Sequence, residues 1–412
     1  MTSPAPYAQL PRRLMVRPDR RIQRRLPLGT GVLRLFLGVL LIGLPCCSEG
    51  QPGAETPASP ETRVVWRAGA GGYHTYRIPV ALATAGGALL AFAEGRRTGR
   101  GDAGDIDLLV KRSTDGGRTW GDALVVCDDG PHTCGNPAPV VDRRTGVIHL
   151  LMTRNLGTDR ERAIMAGTSE DVRRVYHAQS TDDGRTWTAP RDISATTRAP
   201  DWRWYATGPV HGIQLTRGPH AGRLVVPANH SVSGPEEEGP ERYRSHVLVS
   251  DDRGRTWRSG GIHQPYTSES TVVELSDGSL LQNMRSYHGR NRRAVASSRD
   301  GGQTWSPVRL DATLIEPVCQ ASLLRYGWPD MQYPRGILLF SNPAGTTRER
   351  MTVRASFDDG ATWPVEKLID EGSAAYSSLV RLSDGRVGLL YERADYREIV
   401  FSAFTLDWLL EE

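Results

Sequence analysis

The chain is predicted to fold as an all-β protein, a six-bladed β-propeller, and three observations carry that prediction. The pattern S-x-D-x-G-x-T-W occurs five times, at 113–120, 180–187, 250–257, 298–305 and 356–363. Each copy follows a short apolar or alternating run (IDLLVKRS, RVYHAQS, SHVLVS, AVASS, MTVRAS), which reads as a strand ending in a turn. Helical periodicity is scarce throughout.

The chain opens with a leader, 1–50. It holds eight arginines and two acids, Asp19 and Glu49, and carries the apolar run LFLGVLLIGL at 35–44, followed by Pro45, Cys46 and Cys47. Ten apolar residues are too few to cross a bilayer as a mature helix, but they suit the hydrophobic region of an export signal. Translation from Met15 would shorten the basic stretch. A cysteine just past the run resembles a lipoprotein cleavage site, and an uncleaved anchor is the alternative. The protein is therefore expected to be exported: secreted, periplasmic, or attached to a membrane through the leader. Residues 51–61, rich in Pro, Ala and Gly, read as a linker, and 62–412 as one propeller domain.

The formal charge of +4 belongs to the leader. Of 51 Lys and Arg and 47 Asp and Glu, 43 and 45 lie beyond residue 50, which leaves a net charge of −2 there. That balance offers no basic surface to nucleic acid. Five cysteines fit an exported protein that does not depend on disulfides, although Cys127 and Cys134 are close enough in sequence to bridge a loop. No cysteine or histidine cluster has zinc spacing, so no structural metal is expected.

Within each repeated turn the shared aspartate (Asp115, Asp182, Asp252, Asp300, Asp358) can accept from local backbone N–H groups. The shared glycine (Gly117, Gly184, Gly254, Gly302, Gly360) allows positive φ. The tryptophan that follows gives each hairpin a large apolar face to bury between neighbours. Spacings of 67, 70, 48 and 58 residues leave room for variable loops between equivalent units. About 350 residues divide into six units of roughly 60, each of about four strands. A calcium loop is the weaker reading of the repeat, because only one carboxylate is common to all copies.

These five turns, together with YRIP at 76–79, resemble the Asp boxes and first arginine motif of the exo-α-sialidase (neuraminidase) family of six-bladed propellers. The likeness extends over about residues 62–408, with the site motifs in family order. It implies three arginines for the carboxylate of sialic acid: Arg77 in YRIP, Arg285 in QNMRSYHG, and Arg348 in RERMTVRAS, placed two residues before a strand, with Arg350 as its competitor. Guanidinium forks match carboxylates bidentately at any ordinary pH.

The resemblance further implies Tyr376 in GSAAYSSL as nucleophile and Glu269 in TSESTVVEL as its base. A phenol is a poor nucleophile near neutrality unless a base lies within hydrogen-bond reach. A neutral tyrosine also approaches an anomeric carbon bearing a carboxylate without anion–anion repulsion, unlike the carboxylate nucleophile of most glycosidases. Asp102 is the implied acid/base, with Asp105 and Asp107 as rivals in the same acidic loop. Glu392 would orient Arg77. Arg96 with Glu94 would contact the sugar ring, and Asn136 and Glu161 the N-acetyl and glycerol side. PANH at 227–230 stands where animal relatives carry tyrosines, which leaves preference among sialic acids open.

The expected activity is thus removal of terminal α-linked sialic acid from glycoproteins, glycolipids or oligosaccharides, with retention, by a monomer needing no cofactor. An inactive glycan- or protein-binding propeller and a trans-sialidase are the alternatives. A binding module has no use for a nucleophile and its base.

Overall fold

The computed structural model describes residues 60–232 and 239–411. The leader, the linker up to residue 59 and the acidic cluster Glu236 to Glu238 lie outside them. The first strand, Glu61–Arg67, begins one residue ahead of the expected boundary.

The described chain is nearly all strand, as predicted, with antiparallel pairing that runs mostly between sequence neighbours. Starting from Thr75–Ala83, successive groups of four lead off with Thr133–Val141, Trp202–Thr207, Thr267–Glu274 and Ser322–Gly327. The long strand Val365–Arg381 serves twice. Its first half pairs with Glu349–Ser356 as the last strand of one group, and its second half pairs with Val387–Arg393 as the first of the next. That last group is completed by Glu398–Phe404 and, from the other end of the chain, Glu61–Arg67. The leading strands pack on one another or on a neighbouring second strand: Thr75–Ala83 touches Val365–Arg381 and Thr133–Val141, and Thr267–Glu274 touches Ser322–Gly327 and the second strand Leu224–Val232.

The repeated octapeptides form the turns expected of them. In the first, Asp115 accepts from Thr119 N at 3.0 Å, from the Thr119 hydroxyl at 2.6 Å and from the Ser113 hydroxyl at 2.8 Å, and the same bonds recur at Asp182, Asp252, Asp300 and Asp358. The shared glycines all have positive φ, and so does the residue before each, including Asp183, Arg253 and Asp359. Glycine is needed for a second reason. A Cβ on Gly117 would meet the Phe401 ring at 2.2 Å, and one on Gly254 the His149 ring at 2.3 Å.

These contacts come from the preceding sheet, and the tryptophans reach the same way. Trp120 packs on Phe401, Trp187 on Phe92 and Trp257 on His149. Trp257 and Trp363 are buried, while Trp120, Trp187 and Trp305 are half-buried, because the turns sit at the rim. The apolar clusters accordingly lie between adjacent groups of strands. One joins Trp66, Leu390 and Phe401 to Ala91 and Leu109, and the next joins Leu90, Phe92 and Leu108 to Ile148 and Leu150. Cys127 and Cys134, close enough in sequence to pair, form a disulfide between Leu124–Cys127 and Thr133–Val141, two strands of one sheet that both border Ile106–Ser113.

Candidate active site

The polar residues expected at the site gather at one cavity of about 170 Å³. Its walls come from leading strands and the ends of second strands: Arg77 from Thr75–Ala83, Arg96 from Leu89–Arg96, Asn136 from Thr133–Val141, Glu269 from Thr267–Glu274, Arg285 from Leu280–Ser286 and Tyr376 from Val365–Arg381. Residues far apart in sequence converge because these strands share one end of the packed leading-strand layer.

Tyr376 donates its hydroxyl to Glu269 Oε1 at 2.5 Å. One nitrogen of Arg285 donates both to Glu269 Oε2 at 2.8 Å and to the Tyr376 hydroxyl oxygen at 3.2 Å. Burial and then the Glu269 carboxylate push the Tyr376 phenol well above its usual value, outweighing Arg285 and Arg348. Tyr376 is therefore a neutral phenol whose proton already points at a base, so it can attack only as that proton moves.

Glu392, fully buried, accepts from Arg77 Nε at 2.7 Å, Ile78 N at 2.9 Å and Tyr376 N at 3.0 Å. One carboxylate thereby fixes both the guanidinium and the backbone of the phenol. It also holds Ile78 at φ 61°, a conformation that β-branched residues rarely adopt. Burial disfavours the charge on Arg77, and Glu392 more than offsets it.

The structure places the competing neighbours differently. Arg348 lines the cavity, donating to the Tyr396 hydroxyl at 3.0 Å, whereas Arg350 sits at a strand irregularity with φ 62° and pairs with the exposed Glu371 at 3.9 Å. Arg348 stands one residue before its strand, not two, because Glu349–Ser356 starts earlier than its apolar residues suggest. Asp102 lines the cavity and pairs with Arg96 at 2.8 Å, its side chain 63% exposed. Asp105 pairs outward with Arg97, and Asp107 is buried beneath the Tyr73 hydroxyl and Arg97. Lost hydration raises the Asp102 carboxyl, but Arg96 and Arg77 outweigh this and hold it below the usual carboxylate range.

Glu94 spans Arg96 at 2.6 Å and the backbone N–H of Asn136 at 2.9 Å. Asn136 has φ 51°, and its side-chain oxygen accepts from Thr153 at 3.1 Å. Glu161 accepts from the Tyr243 hydroxyl, and burial raises its carboxyl.

Several wall residues gave no sequence signal. Tyr243 and Tyr287, stacked at 5.2 Å, line the wall, and so does Asn229 of PANH. Arg173 is buried, lies 4.1 Å over the Trp204 ring and donates to Thr153 at 2.9 Å. Among the described residues no carboxylate lies within ion-pairing distance of it. Tyr396 was also missed, and Arg77 lies 4.2 Å over its ring.

Residues 87–389 match the BNR repeat-like domain family. The chain is 40% identical over 352 residues to a sialidase of Micromonospora viridifaciens, covering 82% of this chain and 52% of that one, so it spans about half the length of that relative. It is 31% identical to an exo-alpha-sialidase of Aspergillus fumigatus, covering 82% of this chain and 86% of the relative. The Hadza microbial sialidase Hz136 superposes with a TM-score of 0.76 at 33% identity, covering 85% of this chain and 69% of that one. Repeat family, relatives and fold agree: the chain belongs to the sialidase family.

Proposed function

We propose that this protein is an exo-α-sialidase that hydrolyses terminal α-linked sialic acids from glycoconjugates with retention, through a tyrosyl intermediate. The observation that carries the reading is the 2.5 Å bond from Tyr376 to Glu269 in a cavity also lined by Arg77, Arg285 and Arg348. The arginines take the substrate carboxylate, which sets the anomeric carbon beside the phenol. The Tyr376 oxygen attacks that carbon as its proton passes to Glu269, while Asp102 gives a proton to the departing glycosidic oxygen. Asp102 then takes a proton from water, the water oxygen displaces Tyr376, and Glu269 returns the phenolic proton.

Arg96 and Arg77 favour ionised Asp102. A substrate carboxylate on Arg77 offsets part of that field and brings Asp102 toward the protonated form the first step needs. The same reading takes the strand groups as six blades around the leading strands. It places the protein outside the cytoplasm through its leader, as a monomer acting on glycoproteins, glycolipids or oligosaccharides. The test is release of fluorophore from a fluorogenic α-sialoside by the purified protein. No release by folded protein anywhere between about pH 4 and about pH 8 overturns the proposal.

A further inference from the structure

Below the cavity lies an ion pair with no place in the chemistry above. Arg293 and Glu316 are both completely buried, 2.6 Å apart. Such a pair is a poor source of stability, since desolvation commonly cancels the attraction. Burial pushes the Glu316 carboxyl up against the pull of Arg293, and among the described residues Arg293 Nη2 has no partner.

What the pair touches is specific. Glu316 Oε1 accepts from Ser286 N at 2.7 Å, the residue after Arg285. Arg293 Nε donates to Asn283 Oδ1 at 2.6 Å, on the same strand as Arg285, and its Nη1 donates to the Cys319 carbonyl at 2.6 Å. Cys319 packs beneath Tyr376 with Ile78 and Ala375. Between Glu316 and Cys319, Val318 is held at φ 53°, unfavourable for a β-branched residue, and its carbonyl accepts from Arg348 at 3.5 Å. The pair therefore ties the backbone carrying Arg285 to the loop that touches Arg348 and underlies Tyr376.

We propose that Arg293 and Glu316 are positioning residues that set the spacing of Arg285 and Arg348 for one carboxylate. This rests on the reading that those arginines hold the substrate carboxylate. With Ser286 N released, the end of Leu280–Ser286 can shift. With Cys319 O released, Val318 can relax to negative φ and withdraw its carbonyl from Arg348.

The test is equilibrium binding of two probes, the 2,3-didehydro-2-deoxy derivative of N-acetylneuraminic acid and its C1 carboxamide, to wild type, Glu316→Gln and the double variant Arg293→Met/Glu316→Met. The apolar double variant is included because replacing both partners keeps the fold where a single loss leaves a buried charge. Wild type is expected to prefer the acid strongly. The variants should lose about tenfold or more for the acid, with the carboxamide unchanged, and KM for a sialoside should rise more than kcat falls. Equal losses for both probes, or a lowered melting temperature with acid preference intact, overturn the proposal and leave a structural pair. Failure of wild type to prefer the acid overturns instead the carboxylate reading beneath it.

Discussion

Tyr376 and Glu269 share a 2.5 Å hydrogen bond although 107 positions separate them in the chain. The bond directs the phenolic proton to a carboxylate that Arg285 keeps in place. Tyr376→Phe is therefore expected to lower kcat by at least about a hundredfold, with the circular dichroism unchanged. Glu269→Gln should do the same by removing the proton acceptor. A Tyr376→Phe variant within a few-fold of wild type would exclude the phenol as nucleophile.

Asp102 is expected to matter in proportion to how badly the leaving group needs a proton. Asp102→Asn should cost about 10²- to 10⁴-fold on a sialyl-galactose linkage and much less on a nitrophenyl sialoside, whose phenolate departs unaided. Equal losses on the two substrates would assign Asp102 to binding through Arg96 and not to proton transfer.

Acid stability should be governed by histidines. Burial holds His177 and His246 down to about 3, and His211 and His263 to about 4, against a usual value of 6.5. His149 with His177, and His230 with His246, are paired ring to ring at 3.1 Å inside the sheets. Below pH 6.5 the unfolded chain binds protons that the folded one refuses, so stability present above 6.5 falls progressively toward pH 4. The Asp-box carboxylates do not contribute in that window. Asp115, Asp182 and Asp300 are depressed to about 2 from 3.8, and their stabilisation is lost only below 3.8. The melting temperature should drop by about 10 °C or more between about pH 7 and about pH 4.5; a flat profile there would show that the histidines titrate normally.

Asp182→Ala should separate fold from function. It removes acceptors for Thr186 N, Arg185 N and the Ser180 and Thr186 hydroxyls at an exposed turn. The expected cost is about 1–3 kcal/mol of stability, with kcat/KM unchanged. A loss of activity without a loss of stability would give the turn a part in the chemistry.

Local chemistry was the most legible part of the sequence. A turn closed by Ser113, Asp115, Gly117 and Thr119 writes all its partners within eight residues, so five such turns announced the fold. The site was legible where motif order pointed to it, as for Arg77, Glu269, Arg285 and Tyr376. What could not be read were residues whose meaning is made by burial. Arg173, just ahead of its strand, and Arg293, within one, are ordinary arginines until the sheets cover them, and Ile78 and Val318 give no hint of positive φ. Arg348 and Arg350 could be separated only by a strand irregularity that turns one toward the cavity and the other out.

Arg77 and Glu392 lie 315 positions apart, and the strand bearing Glu392 is flanked by Glu398–Phe404, which in turn holds Glu61–Arg67. During translation Arg77 therefore emerges 315 residues ahead of the carboxylate that holds it. A chain released by a late nonsense codon would carry the phenol, its base and all three arginines, yet lack the group that aims Arg77 and anchors the Tyr376 backbone. Enzymatic competence thus requires synthesis to pass Glu392, and products that stop short of it are expected to be not only unstable but catalytically silent.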